Sequence, residues 1–210
     1  MSSKKNKIIF VGGSSFIGGN LIKHLKEKFE IINFSKKNKI KGIKNIKIDL
    51  SKNFDIKKIS QINPQYLFFL VSLDHSKSEK NFNNSININF LSLCKILEEK
   101  NILSNLKSII YISTLQVYGD EKFINSEEIN PNPKNVYGLT HLLCEKYLKY
   151  FSLKNSINCI IYRVSNSYGV PYIERENSWN NAINDFVKNA FYKSSITIKS
   201  HGLYKRDFIY

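Results

Sequence analysis

The sequence predicts an α/β fold, a doubly wound parallel sheet with helices on both faces. Three observations predict it. Short apolar runs alternate with helix-period segments along the chain, one run is apolar almost throughout, and a glycine-rich turn joins the first strand to the first helix. Lys7–Val11 reads as that first strand. From Phe16 to Phe29, the residues Ile17, Leu21, Leu25 and Phe29 recur every fourth position, which predicts a helix. Glu30–Phe34 is a second strand and Ile46–Ile48 a short third. Tyr66–Leu73 is the nearly continuous run of a strand buried on both sides. Ser85–Lys100 carries Ile86, Phe90, Leu93 and Leu97 on one helical stripe. Ser108–Ser113 predicts a strand, Val136–Phe151 a helix and Asn158–Val164 a further strand. Pro64, Pro131, Pro133 and Pro171 all fall outside these elements.

Of 210 residues, 42% are hydrophobic, enough for one cored domain and part of another. No stretch reaches the roughly 20 consecutive apolar residues of a membrane helix, so no membrane partner is expected. Residues 1–7 run straight into Ile8–Val11, which is too short for a signal-peptide core and leads into glycines instead of a cleavage site. Cys94, Cys144 and Cys159 are widely spaced and unpaired by motif, which predicts reduced thiols and no metal site. A cytoplasmic location is therefore expected. The net charge of +15 raises the possibility of nucleic acid binding. Lysine, asparagine and isoleucine are abundant throughout, however, and no nucleic-acid motif is present, so nucleic acid is not expected as a partner. A basic surface equally suits a phosphate-bearing ligand.

Strand one leads into Val11-Gly12-Gly13-Ser14-Ser15-Phe16-Ile17-Gly18 and then a helix. Glycine serves where the chain turns tightly and where backbone approaches a pyrophosphate, which the helix N-terminus then attracts. A glycine pattern alone is weak, but strand and helix on either side are its confirming context. This segment resembles the G-x-x-G-x-x-G turn of extended short-chain dehydrogenases, the NAD-dependent epimerase/dehydratase family. Gly12 and Gly18 match the first and third glycines, and Ser15 stands where the middle one usually lies. The resemblance implies a Rossmann-type domain over residues 1–170, part of a small C-terminal substrate lobe over 171–210, and cofactor contacts from Gly12, Ser15, Phe16, Ile17 and Gly18.

Strand two ends Ile32-Asn33-Phe34-Ser35-Lys36-Lys37, without the acid that grips the ribose hydroxyls of NAD. A hydroxyl followed by cations suits the extra phosphate of NADP, so Ser35 and Lys36 favour NADP over NAD as the cofactor. Other family positions follow in order. Asp49-Leu50 resembles the pair whose aspartate meets adenine, Leu70-Val71-Ser72 the strand-four residues lining the cofactor, and Asn89 the family's helix asparagine.

Tyr111-Ile112-Ser113-Thr114-Leu115-Gln116-Val117-Tyr118-Gly119 is similar to the family segment carrying the catalytic hydroxyl, here Thr114. Sugar 4,6-dehydratases follow that residue with Asp-Glu. Leu115 and Gln116 stand here, and neither can act as a general acid or base, so dehydration is not expected. The family's Tyr-x-x-x-Lys reads Tyr137-Gly138-Leu139-Thr140-His141, with Glu145 downstream fixing the register. The spacing puts Tyr137 and His141 on one helix face, where the resemblance makes both catalytic and cofactor-binding. The substitution has an electrostatic cost. Making a tyrosine a base near neutrality requires roughly 4 kcal/mol. An ammonium about 4 Å away supplies on the order of 4 kcal/mol at an effective dielectric of ~20. Histidine is only about one-tenth charged at pH 7.5. Two readings stay open: a reductase or epimerase of a nucleotide-activated sugar, weakened by His141, and a nucleotide-binding remnant without turnover.

Tyr162-Arg163-Val164-Ser165-Asn166-Ser167-Tyr168-Gly169 resembles a family segment whose asparagine faces the sugar nucleotide, which nominates Asn166. His201 to Tyr210 is similar to a segment ending Arg-Asp-Phe-Ile-Tyr, whose arginine, here Arg206, holds the substrate pyrophosphate. The resemblance spans about two-thirds of a usual member, so a C-terminally truncated chain is expected. It also implies a homodimer through the helices around Phe90 and Leu143.

Overall fold

The computed structural model describes residues 5–37, 39–119, 126–175, 178–198, 201 and 206–210. Gly202, Leu203, Tyr204 and Lys205 of the C-terminal segment lie outside the described residues. The elements run β1 (Lys7–Val11), α1 (Phe16–Leu25), β2 (Glu30–Ser35), β3 (Lys44–Lys47), α2 (Lys57–Ser60) and β4 (Tyr66–Phe69). Then come α3 (His75–Lys80), α4 (Phe82–Ser85), a π-helical turn (Ile86–Leu91), α5 (Ser92–Leu97) and α6 (Lys100–Leu103). They are followed by β5 (Ser108–Thr114), a 3₁₀ turn (Leu115–Tyr118), α7 (Val136–Asn155), β6 (Asn158–Val164), β7 (Asn166–Ser167), α8 (Ala182–Lys193) and β8 (Phe208–Ile209).

Among the described residues, the main sheet has six strands in the order β3-β2-β1-β4-β5-β6, every pair parallel. The order reverses between β1 and β4, the switch point at which such sheets open a crevice beyond their carboxyl ends. Apolar residues cover both faces. One face packs Ile9, Phe69, Ile109 and Tyr111 with Leu93 and Ile96 of α5 and Cys144 and Leu148 of α7. The other packs Ile8, Phe10, Ile31 and Ile40 with Ile22 of α1, and Phe10 stacks on Phe68 at 4.5 Å. Residues Asn166–Ser167 pair with Phe208–Ile209 in a separate two-stranded parallel sheet that spans the expected boundary at residue 170. Among the described residues, no helix is long and apolar enough to cross a membrane.

The helix expected over Phe16–Phe29 ends at Leu25, and two further elements differ from expectation. The run Tyr66–Leu73 is strand only to Phe69; beyond Leu70, which still bonds the Val11 carbonyl at 2.9 Å, the chain leaves the sheet. The stretch 85–100 is not one α-helix. A π-helical turn widens it and moves the buried positions to Ile88, Asn89, Ser92, Leu93, Ile96 and Leu97, leaving Ile86 and Phe90 half-buried. Such insertions re-aim side chains, often at functional sites. Here the turn aims Asn89, which is 1% exposed. Its oxygen accepts from the Leu73 N–H at 2.7 Å and its amide donates to Thr140 Oγ1 at 2.9 Å. Asn89 thus ties the exit of β4 to the helix that carries Tyr137.

Candidate active site

The glycine turn is tight for reasons visible atom by atom. Gly12 has φ +85°, and a Cβ there would meet Val71 Cγ2 at 2.7 Å. A Cβ on Gly18 would meet the Gly13 carbonyl oxygen at 2.6 Å, so helix and turn close only around glycine. Ser15 needs no such freedom: at φ −71° it caps α1, and its hydroxyl accepts from the Gly18 N–H at 3.1 Å. A serine at the middle-glycine position therefore gains a cap at no backbone cost. Phe16 and Ile17 open the helix, where first-turn N–H groups lack intrahelical acceptors; their side chains do not line the groove.

That groove, about 290 Å³, is lined by Gly12, Ser15, Ser35, Lys36, Asp49, Leu50, Leu70 and Val71 among others. Eight of the expected cofactor positions thus share one cavity at the carboxyl ends of β1, β2 and β4. A glycine cradle, a helix N-terminus and an apolar wall fit a dinucleotide. Lys36 and Asp49 form an ion pair at 2.9 Å. Asp49 is held down to about 2, chiefly by the Ser51 hydroxyl, with Lys36 adding to it.

A second cavity of about 460 Å³ is lined by Thr114, Tyr137, Asn166 and Arg206, together with Asp74, His75, Gln116 and Asn181. Four residues picked from four separate segments of sequence therefore meet. Thr114 ends β5, and its Oγ1 accepts from the Gln116 N–H at 3.2 Å. Tyr137 stands in the first turn of α7, capped by Asn135, whose side chain accepts from the Gly138 N–H at 2.7 Å. Burial raises the Tyr137 phenol above its ordinary value; the side chains of Ser72 and Thr114 approach its hydroxyl and partly oppose that rise. Because Ser72 belongs to the groove and Thr114 to the second cavity, the two spaces meet at Tyr137. Asn166 also donates to the Asp207 carbonyl at 3.0 Å, joining β7 to β8.

His141 is placed differently from the other site candidates. It is 4% exposed and lines neither cavity. Its Nδ1 pairs with the Tyr111 hydroxyl at 2.7 Å, and among the described residues its Nε2 has no hydrogen-bond partner. The ring lies edge-on to Tyr137, centroids 4.5 Å apart. Burial lowers its pKa to about 4, so the imidazole is uncharged at neutrality. It brings no positive charge to Tyr137.

A pH-dependent stability follows. The unfolded chain protonates this histidine near 6.5, whereas the folded protein resists until about 4. Stability is therefore full above pH 6.5 and lost as pH falls toward 4, by on the order of 3 kcal/mol. Urea unfolding across that range should show the loss, and His141→Asn should flatten it. Asp49 contributes in a lower window, between 3.8 and about 2, so the two are separable. A slope unchanged by His141→Asn would contradict the assignment.

The sequence motifs did not nominate Asp74, His75, Gln116 and Asn181 as site residues. Asp74 and His75 follow β4, and the rule that ligands sit beyond strand carboxyl ends would have found them. Asp74 caps α3 and pairs with Lys77 at 2.5 Å. Asn181 arrives from a distant loop, with no local signal. Among the described residues, no cluster of three His, Cys, Asp or Glu side chains is placed to hold a metal ion.

Residues 8–210 match the sequence profile of the NAD dependent epimerase/dehydratase family. A relative from Methanocaldococcus jannaschii, described as "Putative UDP-glucose 4-epimerase", is 28% identical over 223 residues, spanning 97% of this chain and 69% of the relative. The structure of UDP-N-acetylglucosamine 4-epimerase from Methanobrevibacter ruminantium M1 is similar with a TM-score of 0.84 at 24% identity, over 99% of this chain and 69% of that one. UDP-glucuronic acid 4-epimerase from Bacillus cereus, solved with UDP-glucuronic acid and NAD, gives 0.80 at 23% identity, over 96% and 68%. With the family's pattern running from β1 to Tyr210 on the fold these enzymes share, the chain belongs to the NAD dependent epimerase/dehydratase family.

Proposed function

We propose that this chain binds a nicotinamide dinucleotide in the groove at Gly12 and acts on a nucleotide-activated sugar in the adjoining cavity, inverting one ring carbon. The observation that carries this reading is the convergence of Thr114, Tyr137, Asn166 and Arg206 on one cavity that meets the groove at Tyr137. UDP-sugar epimerases among its relatives support it. Gly12, Ser15, Asp49, Leu50 and Val71 would hold the dinucleotide, which when bound supplies hydride acceptance and return. The proton falls to the protein. As the sugar C–H bond gives up its electron pair, the Tyr137 oxygen takes the hydroxyl proton, and Thr114 hydrogen-bonds the same sugar oxygen. In the reverse step Tyr137 returns the proton, so the sugar ends at its starting oxidation level. Leu115 and Gln116 offer no acid or base for losing water. Arg206 and Asn166 would grip the nucleotide diphosphate and the sugar.

Lys36 favours NADP over NAD, since β2 runs out through Ser35-Lys36-Lys37 with no acid in that segment, and a 2′-phosphate would compete with Asp49 for the Lys36 ammonium. Following reduced-nicotinamide fluorescence, NADPH should bind more tightly than NADH. Lys36→Ala should cost NADPH about 3- to 10-fold and leave NADH unchanged, as suits a charge contact at an exposed site. Equal affinities in both proteins would sink the NADP preference alone. Binding of neither cofactor by the native chain would sink the whole reading. A second reading, cofactor binding without turnover, draws support from the uncharged His141. Chromatography of UDP-glucose, UDP-N-acetylglucosamine and UDP-glucuronic acid after incubation separates the two readings.

A further inference from the structure

We infer that Arg175 is a cofactor-binding residue, its guanidinium reaching the dinucleotide pyrophosphate held at the glycine turn. The inference rests on the dinucleotide reading of the groove and adds a residue to it. Arg175 is far from the glycine motif in sequence, yet it lines the same groove as Gly12, Ser15 and Lys36.

The route by which it arrives is well fixed. Tyr172 and Ile173 pack against the cluster around Phe10 and Ile22. Lys26 Nζ donates to the Tyr172 hydroxyl at 3.3 Å. Ile173 lies directly on Gly19, where a Cβ would meet its Cδ1 at 3.0 Å. The chain therefore crosses the first turns of α1 just before it reaches Arg175. There the backbone is pinned twice to one buried serine. The Arg175 N–H donates to Ser178 Oγ at 2.8 Å, and the Ser178 N–H donates to the Arg175 carbonyl at 2.9 Å. Asn184 of α8 holds the Ser178 carbonyl in turn at 3.3 Å.

The guanidinium itself is unmatched. Among the described residues it has no hydrogen bond and no ion pair, although burial pulls its pKa below the usual arginine value. The other groove cation, Lys36, is already paired with Asp49. Arg175 as a whole is exposed while lining the groove, so its guanidinium can meet an anion that enters there without giving up a bond to the described residues. The planar fork of donors matches two phosphate oxygens, and the α1 N-terminus favours the same anion. A pyrophosphate in the groove would be within reach of both.

The test compares the native chain with Arg175→Met and Arg175→Lys. NADH and NADPH are titrated by fluorescence, and ADP and 2′-AMP are titrated as competitors. Arg175→Met should weaken NADH, NADPH and ADP by about tenfold or more, the scale of a lost charged hydrogen bond. Arg175→Lys should recover part of that loss. Neither should change 2′-AMP, which lacks the pyrophosphate, or the unfolding temperature, since the side chain bonds nothing among the described residues. Unchanged NADH and ADP affinity in Arg175→Met overturns the inference while leaving the groove reading intact. A loss confined to 2′-AMP and NADPH also overturns it, by moving the arginine to the ribose phosphate. Failure of the native chain to bind NADH or NADPH overturns the groove reading and this inference together.

Discussion

Tyr137→Phe is expected to lower turnover of a UDP-sugar by about 10²–10⁴-fold, the usual share of a positioned acid–base group, with dinucleotide affinity unchanged. The variant removes one hydroxyl at the meeting point of the two cavities and leaves the ring against His141 in place. Turnover by the native chain should itself be slow at neutrality. Burial raises the phenol above its ordinary value of 10.0, so fewer than about one molecule in a thousand carries the phenolate at pH 7. kcat/KM should therefore climb with pH beyond about pH 9 instead of levelling near 7. His141→Lys supplies the absent charge. An ammonium within about 4 Å favours the phenolate by on the order of 4 kcal/mol. The variant should gain at least about tenfold at pH 7, with its alkaline limb moved down, once part of that sum goes to burying the new cation. Activity in neither protein favours binding without turnover. A native profile already flat from pH 6 would contradict the electrostatic account.

Glu145→Ala is expected to cost about 3–5 kcal/mol of folding stability, a large share of the roughly 5–15 kcal/mol typical of a domain. Glu145 is 1% exposed in α7. Its carboxylate accepts from the Ser113 hydroxyl at 2.6 Å and from Arg163 Nη2 at 2.7 Å and Nε at 3.1 Å. Arg163 donates onward to the Tyr118 hydroxyl at 2.6 Å and lies over that ring at 4.7 Å. One buried ion pair thus joins α7, β5, β6 and the 3₁₀ turn after Thr114. Removing only the carboxylate strands a guanidinium whose side chain is 15% exposed. Removing both charges does not, so Glu145→Leu with Arg163→Met should recover most of the loss. Urea unfolding of the single and double variants gives the coupling directly. A loss below about 1 kcal/mol for Glu145→Ala would mean the pair is no better than a surface contact.

The sequence by itself determined the parts whose cause is local. Apolar periodicity located β1, β2, β5 and β6 because an edge or core strand writes its burial into its own few residues. The turn at Gly12 was legible because backbone geometry there admits few side chains. Thr114, Tyr137, Asn166 and Arg206 were legible as segments resembling one family, and the carboxyl ends of β4, β5 and β6 then draw them together. Only the tertiary structure decided what depends on partners far away in sequence. Helical spacing puts Tyr137 and His141 on one face, but a face is broad. The imidazole turns inward because Tyr111, on β5, offers it a hydroxyl. Lys36 gains Asp49 as an ion-pair partner only because β3 leads the chain back beside the end of β2. The stripe through Ile86 and Phe90 gave way to a π-helical turn that serves Asn89 and its bonds to Leu73 and Thr140. Arg175 joins the groove only because Tyr172 and Ile173 find packing on α1. Local patterns encode which surfaces must be buried, whereas the pairing of charges and hydroxyls is fixed when distant segments close on one another.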